Sequence, residues 1–560
     1  MKKLFLLLLL GFTLVGFSQT TEIPDPNFEQ VLIDLGYDTA PINGSVLTAN
    51  ISGVTSLSVS SNNIADLTGI EGFTALTELY CFNNELTSLD VSANPALELL
   101  NCKSNQLTSL DFSNNPALTK LYCYENQLTS LDVSNNPALE ILNSYNNQLT
   151  SLDVSSSNAL KFLSCENNQL ISLDVSNNTA LTEFYCFNNQ LTSLDVSNNT
   201  ALEFLNCRLN QLTSLDVSAN NTLIGLYCLE NQLTSLDVSA NPALEFLNCR
   251  LNQLTSLDVS ANNALIEMDC GFNQLISLDV SNNTALTALY CGNNQLTSLD
   301  MSANPALEFL NCKSNQLTSL DVSSSTALTE LYCDTNQLTS LDVSNNPALT
   351  ELHCYTNQLT SLDVSSANAL TEFYCFNNQL TSLDVSANSA LEFLNCKSNQ
   401  LTSLDFSNNP ALTVLFCGTN QLTSLDVRNG NNTNFSLFNS TSNPNLTCIY
   451  VDDAPYSTTN WTNIDPSSTF VNNEVECEAL SIGDNAFELD VTIYPNPTDN
   501  YLFVEGNKNP ISISIYNLLG AEVISKSNTD KINVSELSNG VYIIRISDGI
   551  GQTDRKFIKN

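Results

Sequence analysis

Residues 118–138 read LTKLYCYENQLTSLDVSNNPA, and this phrase decides the fold because it returns in phase along most of a 560-residue chain. Its clearest marker is Asp132: seventeen aspartates stand 21 residues apart, from Asp90 and Asp111 to Asp405 and Asp426. A fixed period of this length means one supersecondary unit copied in tandem. Within the unit, Leu121 and Cys123 alternate with Tyr122, the period-2 pattern of a short strand with one buried face. No unit can bury its apolar edge alone, so the strands are expected to stack coil on coil into a parallel sheet. Asn126 and its equivalents, from Asn84 to Asn420, are expected to point inward and bond the backbone of each corner.

Written out, the unit is Leu-x-x-Leu-x-Cys-x-x-Asn-x-Leu-x-x-Leu-Asp-Val-Ser-x-Asn-x-x, carried here by Leu118, Leu121, Cys123, Asn126, Leu128, Leu131, Asp132 and Val133. It resembles a leucine-rich repeat, in particular the 21-residue bacterial class, over about residues 54–451. An irregular first coil with Val54, Leu57, Val59 and Asn62, and an irregular last one with Asn443, Leu446, Ile449 and Val451, bring the expected solenoid to about nineteen coils. The fold class is mainly β, with short parallel strands.

The ends of the chain read differently. Residues 1–18 combine Lys2 and Lys3 with an apolar run from Leu4 to Phe17 and a small residue, Ser18, the pattern of a signal peptide cleaved before Gln19. The run is too short to span a bilayer, so the mature chain is expected to carry no transmembrane span. Residues 19–53 form an amino-terminal helical cap: Asp25-Pro26 is an N-cap and first-turn pair, Phe28, Val31, Leu32 and Leu35 make one apolar face, and Gly36 stops the helix. Residues 452–489 read as a carboxy-terminal cap and linker.

Residues 490–560 read as a small β-sandwich, from the runs Val491–Tyr494, Tyr501–Val504, Ile511–Tyr516, Glu522–Ser525 and Val541–Ile546 between Asn, Gly, Pro and Asp. Four motifs occur in order: Tyr494-Pro495-Asn496-Pro497, Ile515-Tyr516-Asn517 followed by Gly520, Gly540-Val541-Tyr542, and the ending Lys556-Phe557-Ile558-Lys559-Asn560. Together they resemble the carboxy-terminal sorting domain of type IX secretion. The resemblance implies the type IX machinery as a partner and the secreted or outer-surface compartment as the destination.

A net charge of −41 sets the chain against nucleic acid, whose binding rests on basic contacts. It fits an acidic extracellular surface. The aspartate row raises calcium as a cofactor, since neighbouring carboxylates about 5 Å apart repel; the alternative is that each Asp accepts from the turn backbone. No other cofactor or metal site is expected. Catalysis finds no constellation: no Gly-x-Ser-x-Gly elbow or phosphate loop occurs, and the one histidine, His353, reads as a solvated surface residue.

Sixteen of the eighteen cysteines, from Cys81 to Cys417, share the 21-residue step, with Ser144 in the single gap. They read as small apolar fillers, because in-register parallel side chains are poorly placed for disulfides. Cys448 and Cys477 lie outside this row and are expected to pair with each other in an oxidising compartment.

Positions that escape the consensus are where a repeat array carries information. They flank Cys: the residue before it is mostly Tyr or Asn, and the residue after it takes five of the array's eight basic side chains. Both point away from the core by strand alternation. The expected contact residues are Tyr185, Phe187, Asn206, Arg208, Tyr227, Asn248, Arg250, Tyr290, Asn311 and Lys313. They suggest a secreted or cell-surface binding protein holding a protein or a glycan on its sheet face, in adhesion or recognition. A structural scaffold or spacer is the alternative reading, and an extracellular hydrolase is disfavoured.

Overall fold

The computed structural model describes residues 19–483, 491–506, 512–548 and 552–560. The expected signal peptide, residues 1–18, lies outside them. The chain divides into two compact units, one comprising residues up to 421 with 434–443, the other 422–433 with 444–560.

In the first unit each copy of the repeat contributes a three-residue strand such as Phe204–Asn206, which pairs in parallel and residue for residue with the next copy's Gly225–Tyr227. Among the described residues nineteen such strands follow one another, from Ser56–Ser58 to Leu437–Asn439. They are short because the residue before each ladder asparagine leaves extended geometry: Glu125 has φ 55° and Asn188 φ 52°, and the feature recurs in every regular coil. That left-handed residue turns the chain off the sheet and into the corner.

Both limbs of the coil feed one core. Leu118, Leu121, Cys123, Leu128 and Val133 are fully buried, and Leu131 nearly so. Each such leucine contributes about 1.5–3 kcal/mol relative to exposure, but only because neighbouring coils cover both its sides.

The corner asparagines bond across the coil boundary. Asn210 Nδ2 donates to the carbonyls of Cys207 and Cys186, at 3.0 and 3.1 Å, while its Oδ1 accepts from Leu191 N at 3.0 Å. A second row, the asparagine of Val-Ser-x-Asn in the repeat, to which sequence reasoning gives no role, is buried completely on the other limb: Asn199 Nδ2 donates to Val175 O at 3.0 Å and Asn178 O at 2.9 Å. Two amide rows thus satisfy the backbone that a strand of three residues leaves over.

The amino-terminal helix is Pro26–Asp34, with Asp25 Oδ1 accepting from Asn27 N and Phe28 N. Its other oxygen, Oδ2, accepts from Ala65 N and Asp66 N, so one carboxylate caps the helix and ties it to the first coil. Phe28, Val31 and Leu32 are buried as expected, but Leu35 is 47% exposed. Leu35 is the C-cap, and Gly36 with φ 80° swings the chain away before that side chain reaches the apolar face. Glu29, in turn, is buried and accepts from Asn43 N and Gly44 N.

In the second unit the strands Ser424–Asp426, Cys448–Tyr450 and Thr469–Val471 run parallel in that order. A disulfide joins Cys448 to Cys477 in the helix Glu474–Gly483, and Trp461 is buried edge-on to Phe470. Further on are two antiparallel sheets, Thr492–Tyr494, Tyr501–Glu505, Lys531–Asn533 and Glu522–Ser527, Ser512–Tyr516, Gly540–Ser547, Gln552–Lys559. Leu502, Val504 and Ile532 from the first pack with Ile513, Ile544 and Phe557 from the second. The strands Lys531–Asn533 and Gln552–Lys559 were not expected: one has only three residues, and the other is an edge strand whose outer face begins Gln552, Asp554 and Lys556 before Ile558.

Candidate recognition face

The ten expected contact residues lie on one side of the ladder, each partly buried against its neighbours. Their roles are unequal. The Asn that accompanies each basic residue bonds locally, since Asn206, Asn248 and Asn311 accept through Oδ1 from the N–H of Arg208, Arg250 and Lys313, at 3.4, 3.2 and 3.3 Å. The Asn two residues before each of these basic side chains therefore has a local backbone role. Tyr185 donates its hydroxyl to Glu183 at 2.9 Å, and burial together with that bond raises its pKa.

Carboxy-terminal coils satisfy themselves. Rings run in unbroken contact from Tyr290 to Phe309 at 4.5 Å, Tyr332 at 5.3 Å, His353 at 4.4 Å, Tyr374 at 4.2 Å and Phe393 at 4.5 Å, each distance taken from the preceding centroid. The faces of these rings cover one another, leaving mostly edges outward, and the Tyr332 and Tyr374 hydroxyls donate to Glu330 and Glu372. His353 corrects the expectation of a solvated residue. Its side chain is 17% exposed, held between two tyrosine rings with Nε2 2.7 Å from Glu351 Oε1.

Central coils are different. The Arg208 guanidinium lies 4.3 Å from the Phe187 ring centre and that of Arg250 4.6 Å from Phe272. Neither forms an ion pair among the described residues, and both Nε atoms are buried without a hydrogen-bond partner there. Beside them, Leu209, Leu251 and Phe272 hold φ values of 54°, 53° and 52° and are 37%, 38% and 40% exposed. Other coils place Asn188, Asn293 or Ser314 at this position, and some place Glu125, Glu230, Thr335, Thr356 or Thr419; a residue other than Asn or Gly in the left-handed region costs about 1–2 kcal/mol, and the central coils differ in that theirs are large and apolar. Sequence reasoning misses these three because it follows only the strand columns. The signal is the residue just before each ladder asparagine.

The other limb carries the aspartates. Asp195 Oδ1 accepts from Ser197 N at 2.9 Å, and the same bond recurs from Asp90 to Asp405. The Ser197 hydroxyl and N–H hold the Asp195 carboxyl below its ordinary pKa, outweighing repulsion from Asp174 and Asp216. Among the described residues no group of three or more His, Cys, Asp or Glu side chains is placed to hold a metal ion. The sixteen row cysteines are free thiols and fully buried, and burial pushes Cys102 and Cys207 up to about 12.

Residues 52–94 match the family model for leucine-rich repeats, and residues 492–560 match that of the secretion system C-terminal sorting domain. The array is a leucine-rich-repeat solenoid. The chain is similar to the functional domain of InlJ from Listeria monocytogenes, described as including a cysteine ladder, at 28% identity and a TM-score of 0.57 over 97% of this chain and 99% of that one. It is also similar to a leucine-rich-repeat protein of Leptospira interrogans, at 25% identity and TM-score 0.52 over 63% and 92% of the two chains. A third likeness is YopM from Yersinia enterocolitica, at 26% identity and TM-score 0.50 over 66% and 74%. No curated protein matches the sequence. The sorting domain marks this leucine-rich-repeat protein as secreted or placed on the cell surface through type IX secretion. No helix among the described residues is long and apolar enough to cross a membrane. The leucine-rich-repeat solenoid is a fold of binding and recognition proteins.

Proposed function

We propose that this protein is an exported adhesion or recognition protein that holds a protein or glycan at the cell exterior on its sheet face, centred on the coils from Tyr185 to Lys313. The observation that carries the reading is the cluster of Arg208 and Arg250 with Leu209, Leu251 and Phe272. Unpaired cations and exposed bulky residues in left-handed backbone lower stability, and such costs persist where function needs them. The aromatic row beyond Tyr290 carries less weight, because its rings are already one another's partners.

A spacer reading has one observation in its favour. LEFLNCRLNQ stands verbatim at residues 202–211 and 244–253, as recent duplication would leave it. Leu209 and Leu251 fall inside that repeated stretch, so duplication accounts for their recurrence; it does not account for Phe272, which lies outside it beside Arg250.

The mature protein, applied to panels of immobilised extracellular proteins and glycans, separates the two. Replacing Tyr185, Arg208, Tyr227 and Arg250 together by Ala is expected to abolish binding with little change in thermal unfolding. Replacing Asp195, Asp216, Asp237 and Asp258 by Asn is expected to leave binding intact, since Asn makes the same turn bond. Loss in the second variant with retention in the first places function on the opposite limb.

A further inference from the structure

In the column that follows Cys, two consecutive coils carry glycine. Gly271 and Gly292 interrupt a row that otherwise reads Arg208, Leu229, Arg250 before them and Lys313 after. Glycine weakens a strand unless something approaches its backbone closely. The missing side chains open a notch of about 110 Å³ in the sheet face, walled by Arg250, Asp269, Phe272 and Lys313. That volume has room for one side chain. Its two cations stand three coils apart, about 14 Å at the spacing of parallel strands.

We propose that this notch receives a single acidic side chain, Asp or Glu, of a protein partner, clasped by Arg250 and Lys313 with Leu251 and Phe272 as its apolar rim. The inference rests on the binding reading above. Charge argues for the carboxylate. The wall carries two cations against one acid, Arg250 has its Nε buried with no partner among the described residues, and the Phe272 ring fixes the guanidinium from behind. A planar donor fork held ready in this way matches a carboxylate. Asp269 feels the Arg250 charge but forms no ion pair with it among the described residues, its Oδ1 being turned to Gly271 N at 3.0 Å, so it competes for the guanidinium without occupying it. The apolar rim argues for a protein. Phe272 lines the notch and, with Leu251 one coil before it, stays exposed in a conformation that Asn would adopt at lower cost; an aromatic ring beside an arginine is the making of a protein–protein anchor.

The array supplies its own controls. Large residues occupy the glycine column in other coils, Tyr145 and Tyr355 among them, so Gly271→Tyr with Gly292→Tyr fills the notch; a Cβ at Gly292 meets the Asn311 Oδ1 at 2.9 Å, a side-chain atom that must shift, and one at Gly271 meets Gly292 O at 3.1 Å. Asp269 stands where Asn248 and Asn311 stand, so Asp269→Asn keeps the turn bond and removes the competing charge.

The probe is a set of immobilised dodecapeptides bearing one Glu between Leu and Phe, their Gln analogues, and polygalacturonate as a sugar carboxylate. The mature protein is expected to bind the Glu peptides at least tenfold more tightly than the Gln peptides. Lys313→Ala is expected to lose most of that difference with unfolding temperature unchanged, the filled-notch variant to lose it with a modest drop in unfolding temperature, and Asp269→Asn to gain several-fold. Absence of Glu-over-Gln discrimination, unchanged binding by the filled-notch and Lys313→Ala variants, or notch-dependent binding of polygalacturonate instead of peptide each overturns the proposal. A variant with Tyr185→Ala, Arg208→Ala and Tyr227→Ala, which leaves Arg250 and Lys313 in place, is read on the wider panels separately, so the notch can fail while the recognition face stands.

Discussion

Leu191 N–H donates at 3.0 Å to Oδ1 of Asn210, a residue of the following coil. Because that amide also serves the carbonyls of Cys186, Cys207 and Arg208, one side chain bonds four backbone groups in two coils. Replacing Asn210 by Leu keeps the bulk and removes all four bonds, three of them to fully buried groups. Buried backbone groups left without a partner cost about 1–3 kcal/mol each, so the variant is expected to lose at least about 3 kcal/mol, read as a lower urea midpoint. An unshifted midpoint contradicts the structural role of the row.

Alkaline pH is expected to destabilise the array. Cys207 ionises at about 12 in the folded chain against an ordinary 9.0, because burial penalises the thiolate. Between those values the unfolded chain loses a proton that the folded chain keeps. Stability present below pH 9 therefore falls as pH rises towards 12, by about 1.4 kcal/mol per pH unit for each such thiol. Urea midpoints from pH 8 to 10.5 are expected to drop steeply, and less steeply after several row cysteines are changed to Ala. Alkylation under native conditions at pH 8 is expected to label none of the sixteen row thiols, and after denaturation without reductant all of them.

Leu209, Leu251 and Phe272 are expected to trade stability for contact. Changing all three to Asn, the residue at this position in Asn188 and Asn293, relieves left-handed strain. Thermal unfolding is expected to rise by a few degrees in total while binding on the protein panel weakens. A variant that is both less stable and equally adhesive contradicts the reading.

Removal of residues 490–560 is expected to leave the protein in the periplasm with the solenoid folded, since the sorting-domain match is confined to that stretch. Cell fractionation with an antibody to the solenoid checks it. Normal export of the truncated chain counts against the assignment.

Much of this structure is legible in one repeat. The Leu121–Cys123 alternation gives the strand, the 21-residue step its register, and Asn126 the corner bond, because each depends on neighbours that the sequence repeats. His353 reads wrongly from sequence because its environment comes from Tyr332 and Tyr374, residues 21 away on either side that the local sequence does not show. The same holds for the rim of the candidate site. Leu209 and Phe272 look like variation in a loop until the backbone places them in left-handed geometry beside the two arginines. Leu35 departs from expectation for a local reason: helical periodicity continues past the point where Gly36 ends the helix.

The asparagine rows also govern how such a gene can change. Every coil's bonds are completed by the coil before and the coil after, so unequal recombination between near-identical stretches such as residues 202–211 and 244–253 inserts or removes coils in whole periods and leaves no amide orphaned. A slip of any other length breaks both rows at the junction. Length is thus the one property of this array that replication errors can tune at almost no folding penalty. It moves in steps of about 5 Å, so Arg250 and Lys313 can be drawn together or spread apart only by a whole step.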